Sequence, residues 1–254
     1  MEASTPAKAM KLMSCPAVCA SGPVQPLSLV ADYAGGGMLL AFGMVSALLE
    51  ARITGQGQVV DAAMLDGAAL LMASVYGRHA AGRWTGERGK NFTDGAAHYY
   101  TSYQCADGKW LAVGPIEPNF YALLLEKCGL ADEALRDQAN PGNWADIKAR
   151  LQAVFVTRSR DAWCALLEQT DACVSPVLEV AEAPGHAHNA ARGVFCVVDG
   201  KVQPAPAPRF SATPAMTPGL PSQAGKDGPA LLSELGWTQE EIAALRDEGA
   251  LFCP

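Results

Sequence analysis

Hydrophobic positions near the start of the chain have helical spacing. Residues Tyr33–Ala51 are apolar nearly all round, which predicts a helix that is buried on most of its sides. A polar, glycine-containing turn over Arg52–Gly57 follows, and Gln58–Asp61 is predicted as a short strand. The helical pattern returns over Ala62–Tyr76. Arg78–Ala97, rich in glycine and charge, is predicted as a loop.

The pattern changes after residue 98, where short apolar runs alternate with amphipathic segments. Asp107-Gly108 between the apolar runs Tyr99–Gln104 and Trp110–Val113 is typical of a β-hairpin. Three amphipathic helices and a buried strand should follow, over Pro118–Cys128, Trp144–Val156, Asp161–Glu168 and Ala172–Val177. This middle part of the chain is therefore predicted to mix helices and strands.

The last part of the chain has clear start and stop signals. A second hairpin is predicted around Asp199-Gly200, and Gln203–Pro221 should be extended because it holds six of the 17 prolines. A helix over Leu231–Leu235 is followed by another that starts at Thr238. Glu241 lies three residues after this threonine, as in a capping box.

Composition sets the scale of the fold. A chain of 254 residues can form one large domain or two modest ones. Half of its residues are hydrophobic and 18% are charged, which excludes disorder as the main state. The apolar surplus predicts either a deep core or a large face for a partner subunit.

Charge and cysteine usage exclude several classes of function. The net charge of −7 argues against binding to nucleic acid or to an anionic membrane surface. The eight cysteines form no CxxC pair or Cys/His cluster, so no metal site or disulfide framework is expected. Free thiols favour a reducing compartment, and we expect a cytoplasmic protein. Glycines interrupt the apolar stretch Tyr33–Leu49, which is also short for a membrane span.

Two carboxylates are candidates for chemistry. Asp32 precedes Gly35-Gly36-Gly37, so it is either a helix-start residue or a carboxylate beside backbone that a ligand can approach. Glu117 follows a predicted strand and precedes Pro118, which fits a helix start as well as a site residue. His98 lies at a predicted junction between loop and strand and could be a site residue, but a solvated or packed imidazole is the better interpretation of it.

Several ordered motifs together resemble the α-methylacyl-CoA racemase family within the class III CoA-transferase superfamily. The resemblance spans roughly residues 23–251. Its motifs are Pro26–Gly37, Gly55–Met64, Arg88–Asn91, Asp94-Gly95, Tyr99-Tyr100, Ala112–Pro118, Thr170–Val174, Pro208–Phe210, Glu240–Ile242 and Gly249-Ala250. It implies an α/β fold with a partial Rossmann-like large domain (residues 23–97 and 195–254) and a smaller α+β domain (residues 98–194). Residues 1–22 would be a leader, and two chains would interlock as a homodimer.

The resemblance also implies a reaction. The family removes the α-proton of a 2-methylacyl-CoA and returns a proton to either face of the enolate, and CoA is part of the substrate rather than a cofactor. Asp32 matches one base, and Glu117 matches the residue that supports the second base, a histidine. Met64, Tyr100 and Ile116 match positions that line the acyl pocket.

The sequence departs from the family pattern in ways that leave alternatives open. No histidine precedes Asp32, Ser28 stands where asparagine is usual, and His98 stands where proline is usual. Nothing in the sequence places His98 on the face where the second base is needed. The chain could therefore be an impaired racemase, a CoA-transferase with Asp32 as nucleophile, or an inactive relative. The segment Ile116-Glu117-Pro118 favours the racemase branch.

Overall fold

The computed structural model describes residues 27–130, 132, 135 and 137–252, so the expected leader lies outside the described residues. The chain divides into two compact units, of which the first ends at Val177 and the second begins at Leu178. Both mix helices with small antiparallel sheets, as expected for an α/β protein. The domain bounds at residues 97 and 195 stay a prediction.

The first helix, α1, is longer than the apolar pattern predicted. It is a π-helix over Leu29–Met38 and an α-helix over Leu39–Thr54. It ends at Gly55, whose φ of 74° allows its N–H to donate to the Ala51 carbonyl at 2.8 Å. Glycine adopts this left-handed conformation at little cost, so it stops the helix at the predicted turn.

Two short helices follow, α2 (Met64–Leu71) and α3 (Ala73–Ala80). They confirm the predicted helical segment. The strand predicted over Gln58–Asp61 is wrong, because these residues take no regular structure in the part of the chain that is described. A strand requires a hydrogen-bonded neighbour, and no described residue pairs with this segment.

A three-stranded antiparallel sheet forms the middle of the first unit. It orders β1 (Thr101–Gln104), β2 (Trp110–Val113) and β3 (Val174–Val177) side by side. The predicted hairpin is confirmed, with Gly108 at the positive φ of 76° that its tight turn requires. Three predicted helices also form, as α4 (Pro118–Lys127), α5 (Trp144–Phe155) and α6 (Arg160–Leu167).

Sheet and helices enclose one hydrophobic core. Its largest fully buried side chains come from both strands and helices and include Tyr103, Leu111, Leu124, Leu151, Phe155 and Trp163. The Trp163 indole N–H donates to the Phe155 carbonyl at 2.9 Å, so its one polar atom is satisfied. This core fixes the end of β2 from which the candidate site extends.

The helical part of the first unit differs, because α1 is not buried on most of its sides as predicted. Large apolar side chains of α1 are exposed, for example Phe42 at 72% and Ile53 at 73%. Few described side chains cover these faces. By length and composition alone, the 26 residues of α1 are long and apolar enough to cross a membrane.

The second unit contains a short helix, a hairpin and two further helices. In order these are α7 (Ala187–Arg192), β4 (Phe195–Val198), β5 (Lys201–Pro204), α8 (Gly228–Glu234) and α9 (Gln239–Asp247). The predicted capping box is confirmed: Thr238 and Glu241 exchange hydrogen bonds at the start of α9. These bonds lower the pKa of the Glu241 carboxyl.

Candidate active site

Asp32 lies in the first turn of the π-helical part of α1, and its side chain is exposed. The chain enters this turn through two left-handed residues, Leu27 and Ser28, with φ of 50° and 60°. The Tyr33 N–H then donates to the Ser28 carbonyl five residues earlier, at 3.2 Å. π-helical turns are rare and occur frequently at functional sites. The sequence predicted a helix here but gave no sign of its wider winding.

Glycines let α1 and α2 approach backbone to backbone. A Cβ on Gly67 would collide with the Gly35 carbonyl group, and a Cβ on Gly35 would lie 2.9 Å from the Ala68 nitrogen. One residue along, the Met64 side chain covers Gly36, where a Cβ would lie 3.0 Å from the Met64 Cγ. The crossing therefore places Met64 against Gly36, four residues after Asp32 along α1.

Glu117 ends a short segment that leaves β2 and enters α4. The Ile116 N–H donates to the Gly114 carbonyl at 2.9 Å, which closes a three-residue turn centred on the fully buried Pro115. Glu117 is the N-cap of α4, and Pro118 occupies the first helical turn, where its missing N–H costs nothing. The Glu117 side chain is exposed.

Tyr100 and Ile116 lie beside this segment with partly exposed side chains, at 39% and 40%. The Tyr100 ring stacks on Phe92 with centroids 6.0 Å apart. Its edge would lie 3.9 Å from a Cβ on Gly114. The Arg78 guanidinium of α3 lies 5.0 Å from the Phe92 ring centroid, so a cation–π contact connects α3 to the ring on which Tyr100 stacks.

The five predicted site residues therefore fall into two groups within the first unit. Asp32 and Met64 lie on the two helices that cross at Gly35 and Gly67, and Tyr100, Ile116 and Glu117 lie near the end of β2. Among the described residues, no hydrogen bond or ion pair joins the two groups. Each group offers one exposed carboxylate with apolar side chains near it.

His98 belongs to neither group. Its imidazole is fully buried between Tyr99 and Tyr121, with ring centroids 5.0 and 5.1 Å away. Neither ring nitrogen has a hydrogen-bond partner in the described structure, and burial lowers the pKa of this histidine to about 4. It is a packed, neutral side chain, which is one of the two states that the sequence left open, and it does not supply an exposed base.

The motif that contains Arg88 and Lys90 is an ordered loop. The Asp94 carboxylate accepts hydrogen bonds from the backbone N–H groups of Gly89 and Asn91 at 3.0 and 2.7 Å, and a third from the Asn91 side-chain amide. Asn91 and Asp94 therefore shape this loop. Within the described ranges, no cluster of three or more His, Cys, Asp or Glu residues could hold a metal ion.

Sequence reasoning missed Gln138. Its side-chain amide donates to the carbonyls of Pro115 and Ile116, at 2.9 and 3.0 Å. The partners are separated by more than twenty residues, so no local pattern could have indicated this contact.

The sequence matches a known protein family. The model of CoA-transferase family III matches residues 10–231. The chain is 41% identical over 229 residues to the alpha-methylacyl-CoA racemase of Mus musculus, and 39% identical to that of Homo sapiens. These matches cover 89% of this chain and 60% of each relative, so the chain spans about 60% of their length.

A more distant relative is a CoA-transferase subunit by name. The chain is 27% identical over 244 residues to the succinyl-CoA–L-malate CoA-transferase beta subunit of Chloroflexus aurantiacus, covering 89% of this chain and 59% of that one. Among solved structures, a CAIB/BAIF family protein from Brucella suis aligns with a TM-score of 0.68 at 22% identity, over 89% of this chain and 60% of that one. Rv3272 from Mycobacterium tuberculosis aligns with a TM-score of 0.67 at 20% identity, over 88% and 59%. These structures support the fold.

Proposed function

Because the chain belongs to CoA-transferase family III, we propose that it is a racemase of 2-methylacyl-CoA thioesters that removes and returns the α-proton. The observation that carries this proposal is the exposed carboxylate of Asp32, four residues before the glycine of α1 that the Met64 side chain covers. A base that reacts with a carbon acid must be within reach of substrate, and a flexible thioether beside it suits a branched acyl chain. The higher identity to racemases than to the transferase subunit also supports the racemase branch.

In the proposed reaction, the Asp32 carboxylate takes the α-proton. The electron pair of the broken C–H bond moves into the thioester carbonyl, which gives an enolate. Return of a proton to the opposite face gives the other epimer, and this step requires a second base. Glu117 would orient that base. His98 is fully buried and cannot replace it, so we expect the base to be supplied from outside the described residues.

The acyl chain would lie against Met64, Tyr100 and Ile116, all partly exposed. CoA would enter as part of the substrate, with no separate cofactor. The exposed apolar residues of α1 support the proposed homodimer, since contiguous apolar surface often marks an interface. We also propose a cytoplasmic location, on the ground of the free thiols.

Isotope exchange tests the role of Asp32. Incubation of the chain with one 2-methylacyl-CoA epimer in deuterated water should place deuterium at the α-carbon, and Asp32→Asn should slow this uptake by at least about a hundredfold. Asp66→Asn is the matched control, because Asp66 is also an exposed aspartate in the first turn of a helix. Uptake that survives Asp32→Asn would overturn the proposal.

Comparing the rate of inversion at the α-carbon with the rate of deuterium uptake shows whether a second base is present. A single base exchanges the proton on one face without inverting the centre, whereas two bases give both outcomes at comparable rates. Inversion much slower than uptake would indicate that the chain alone holds one base. Absence of both would favour an inactive relative.

A CoA-transferase is the second candidate, favoured by the similarity to the Chloroflexus aurantiacus subunit. In that reaction the Asp32 carboxylate would attack the thioester carbonyl, release the CoA thiolate and form an acyl anhydride. Intact-mass measurement after incubation with an acyl-CoA should show an acyl adduct that hydroxylamine removes. An adduct lost in Asp32→Asn would replace the racemase proposal with this one.

A further inference from the structure

We propose that Gln138 is a positioning residue of the active site, which fixes the segment Gly114–Glu117 and thereby the direction of the Glu117 carboxylate. The inference deepens the proposed function and rests on it, because Glu117 is the residue that would orient the second base. Gln138 would act through the backbone of the segment rather than on the substrate.

The amide group of Gln138 makes two hydrogen bonds to consecutive carbonyls. Its Nε2 donates to the Pro115 oxygen at 2.9 Å and to the Ile116 oxygen at 3.0 Å. Both hydrogens of the NH2 group are therefore used. A pair of bonds from one nitrogen fixes the orientation of two successive peptide planes, and the second of these planes joins Ile116 to Glu117.

Gln138 is itself held in place. Its backbone carbonyl accepts a hydrogen bond from the Trp144 indole N–H at 3.0 Å, and both residues are 9% exposed. Trp144 opens α5 and packs into the core through Tyr99, with ring centroids 6.1 Å apart. Gln138 is therefore attached to the hydrophobic core of the first unit. A site residue keeps a defined position when the residues that support it are held by packing and hydrogen bonds.

Backbone hydrogen bonds hold the first and last residues of the segment Gly114–Glu117. The Gly114 N–H donates to the Cys173 carbonyl at 2.9 Å, and the Glu117 carbonyl accepts from the Tyr121 N–H at 3.0 Å. Between these two points, Gln138 holds the intervening carbonyls. The backbone of Glu117 is thus constrained before and after the residue, while its carboxylate remains exposed.

A glutamine suits this place for a chemical reason. Both partners are carbonyl oxygens, so the side chain at position 138 must supply two hydrogen-bond donors. The neutral amide of glutamine does so without placing a charge near the Glu117 carboxylate. Methionine has a similar length and flexibility but no donor. In Gln138→Met the carbonyl of the fully buried Pro115 would lose its hydrogen-bond partner. The segment would then rotate so that this carbonyl could accept a hydrogen bond from water.

The experiment compares Gln138→Met with a matched control, Gln152→Met, in the full chain. Gln152 also clamps backbone with its side-chain amide, donating to the Gln104 carbonyl at 2.8 Å and accepting from the Gln104 N–H at 3.2 Å. Gln104 pairs with Trp110 at the hairpin end of the sheet, whereas the segment follows Val113 at the opposite end of β2. Each variant therefore removes a side-chain amide that bonds to the backbone, and the two sites lie at opposite ends of the β1–β2 pair.

Two measurements decide the outcome. Gln138→Met should lower kcat for inversion of the α-carbon about tenfold to a hundredfold with KM changed by less than about threefold, because Glu117 would orient the base for this step and a base misplaced by about 1 Å loses rate rather than binding. Amide hydrogen exchange should also accelerate at Gly114 and Ile116. Gln152→Met should leave kcat and these two amides unchanged.

A Gln138→Met protein with kcat and amide protection within twofold of the unsubstituted chain would overturn the inference. If the unsubstituted chain shows no α-proton exchange at all, the proposed function fails, and if it exchanges the proton without inversion, the chain alone lacks the second base. Amide exchange at Gly114 and Ile116 then still decides whether Gln138 holds the segment.

Discussion

The two parts of the first unit use apolar residues in opposite ways. Around the sheet β1–β3, apolar side chains fill one core, and Leu111 and Trp163 are at most 2% exposed. In α1–α3, equally apolar residues such as Phe42 and Ile53 are more than 70% exposed, and the helices meet through glycine instead. Side-chain packing thus holds one part, and close backbone approach holds the other. Each part supplies one of the two candidate carboxylates.

The largest expected effect tests the packed part. Trp163→Ala should lower the free energy of unfolding of this part by about 3–5 kcal/mol, because it removes a buried ring that packs on Phe155 and leaves a cavity. Amide exchange of the slowest amides in β1 and β2 measures this change. Trp110→Ala is the control, since Trp110 lies on β2 but is 44% exposed and should cost much less. Equal losses for the two variants would contradict the comparison.

The next effect is a pH dependence of the free energy of unfolding, and we expect it only in the packed part around the sheet. His98 has a pKa near 6.5 when unfolded and about 4 when folded, because burial disfavours its charged form. The groups that face it are the rings of Tyr99 and Tyr121, and Tyr103 donates to its carbonyl, so no described charge compensates a proton there.

The unfolded chain therefore binds this proton first. Stability from neutral His98 is fully present above pH 6.5 and is lost as pH falls towards 4, by about 3 kcal/mol. His98→Phe keeps a ring of similar size and should remove this part of the pH dependence of unfolding. His79→Gln is the control, because His79 is exposed. Parallel stability curves for the unsubstituted chain and His98→Phe between pH 4 and 7 would show that the histidine is not buried neutral.

A smaller effect tests the backbone crossing. Gly67→Ala should destabilise the helical part by about 1–3 kcal/mol, because its Cβ would meet the Gly35 backbone, which cannot rotate away. Gly77→Ala in α3 should have the opposite sign, a gain of about 0.5–1 kcal/mol, since it meets nothing within 4 Å. Thermal unfolding followed by circular dichroism compares the two. Gly67→Ala should also lower α-proton exchange, because the crossing places Met64 against Gly36, four residues after Asp32.

These two parts also differ in how far the sequence predicted them. Signals within a few residues were sufficient for the hairpin at Asp107-Gly108, the start of α4 at Pro118 and the capping box at Thr238, because short-range hydrogen bonds determine them. The contacts of Gly67 and Gln138 join residues more than twenty positions apart. No local sequence pattern around either residue indicates such a contact. The roles of Asp32 and Glu117 came from the family resemblance, since a carboxylate at a helix start has an ordinary structural explanation as well.

The exposure of α1 shows why periodicity alone failed there. An all-apolar helix is consistent with burial, but burial also requires other residues to cover each face, and few described residues do so. The amphipathic helices α4–α6 were predicted correctly because the sequence itself separates the face that packs from the face that meets water.

The smallest expected effect concerns that exposed face. Phe42→Ser should change the free energy of unfolding by less than about 0.5 kcal/mol, because the side chain is 72% exposed and phenylalanine and serine have similar helix propensities. If the proposed homodimer uses this face, the same substitution should weaken self-association in sedimentation velocity while leaving the monomer folded. A loss of about 2 kcal/mol or more at concentrations where the chain is monomeric would mean that Phe42 is packed within the chain. The contrast between the two parts would then disappear, since α1 would depend on buried side chains just as the sheet does.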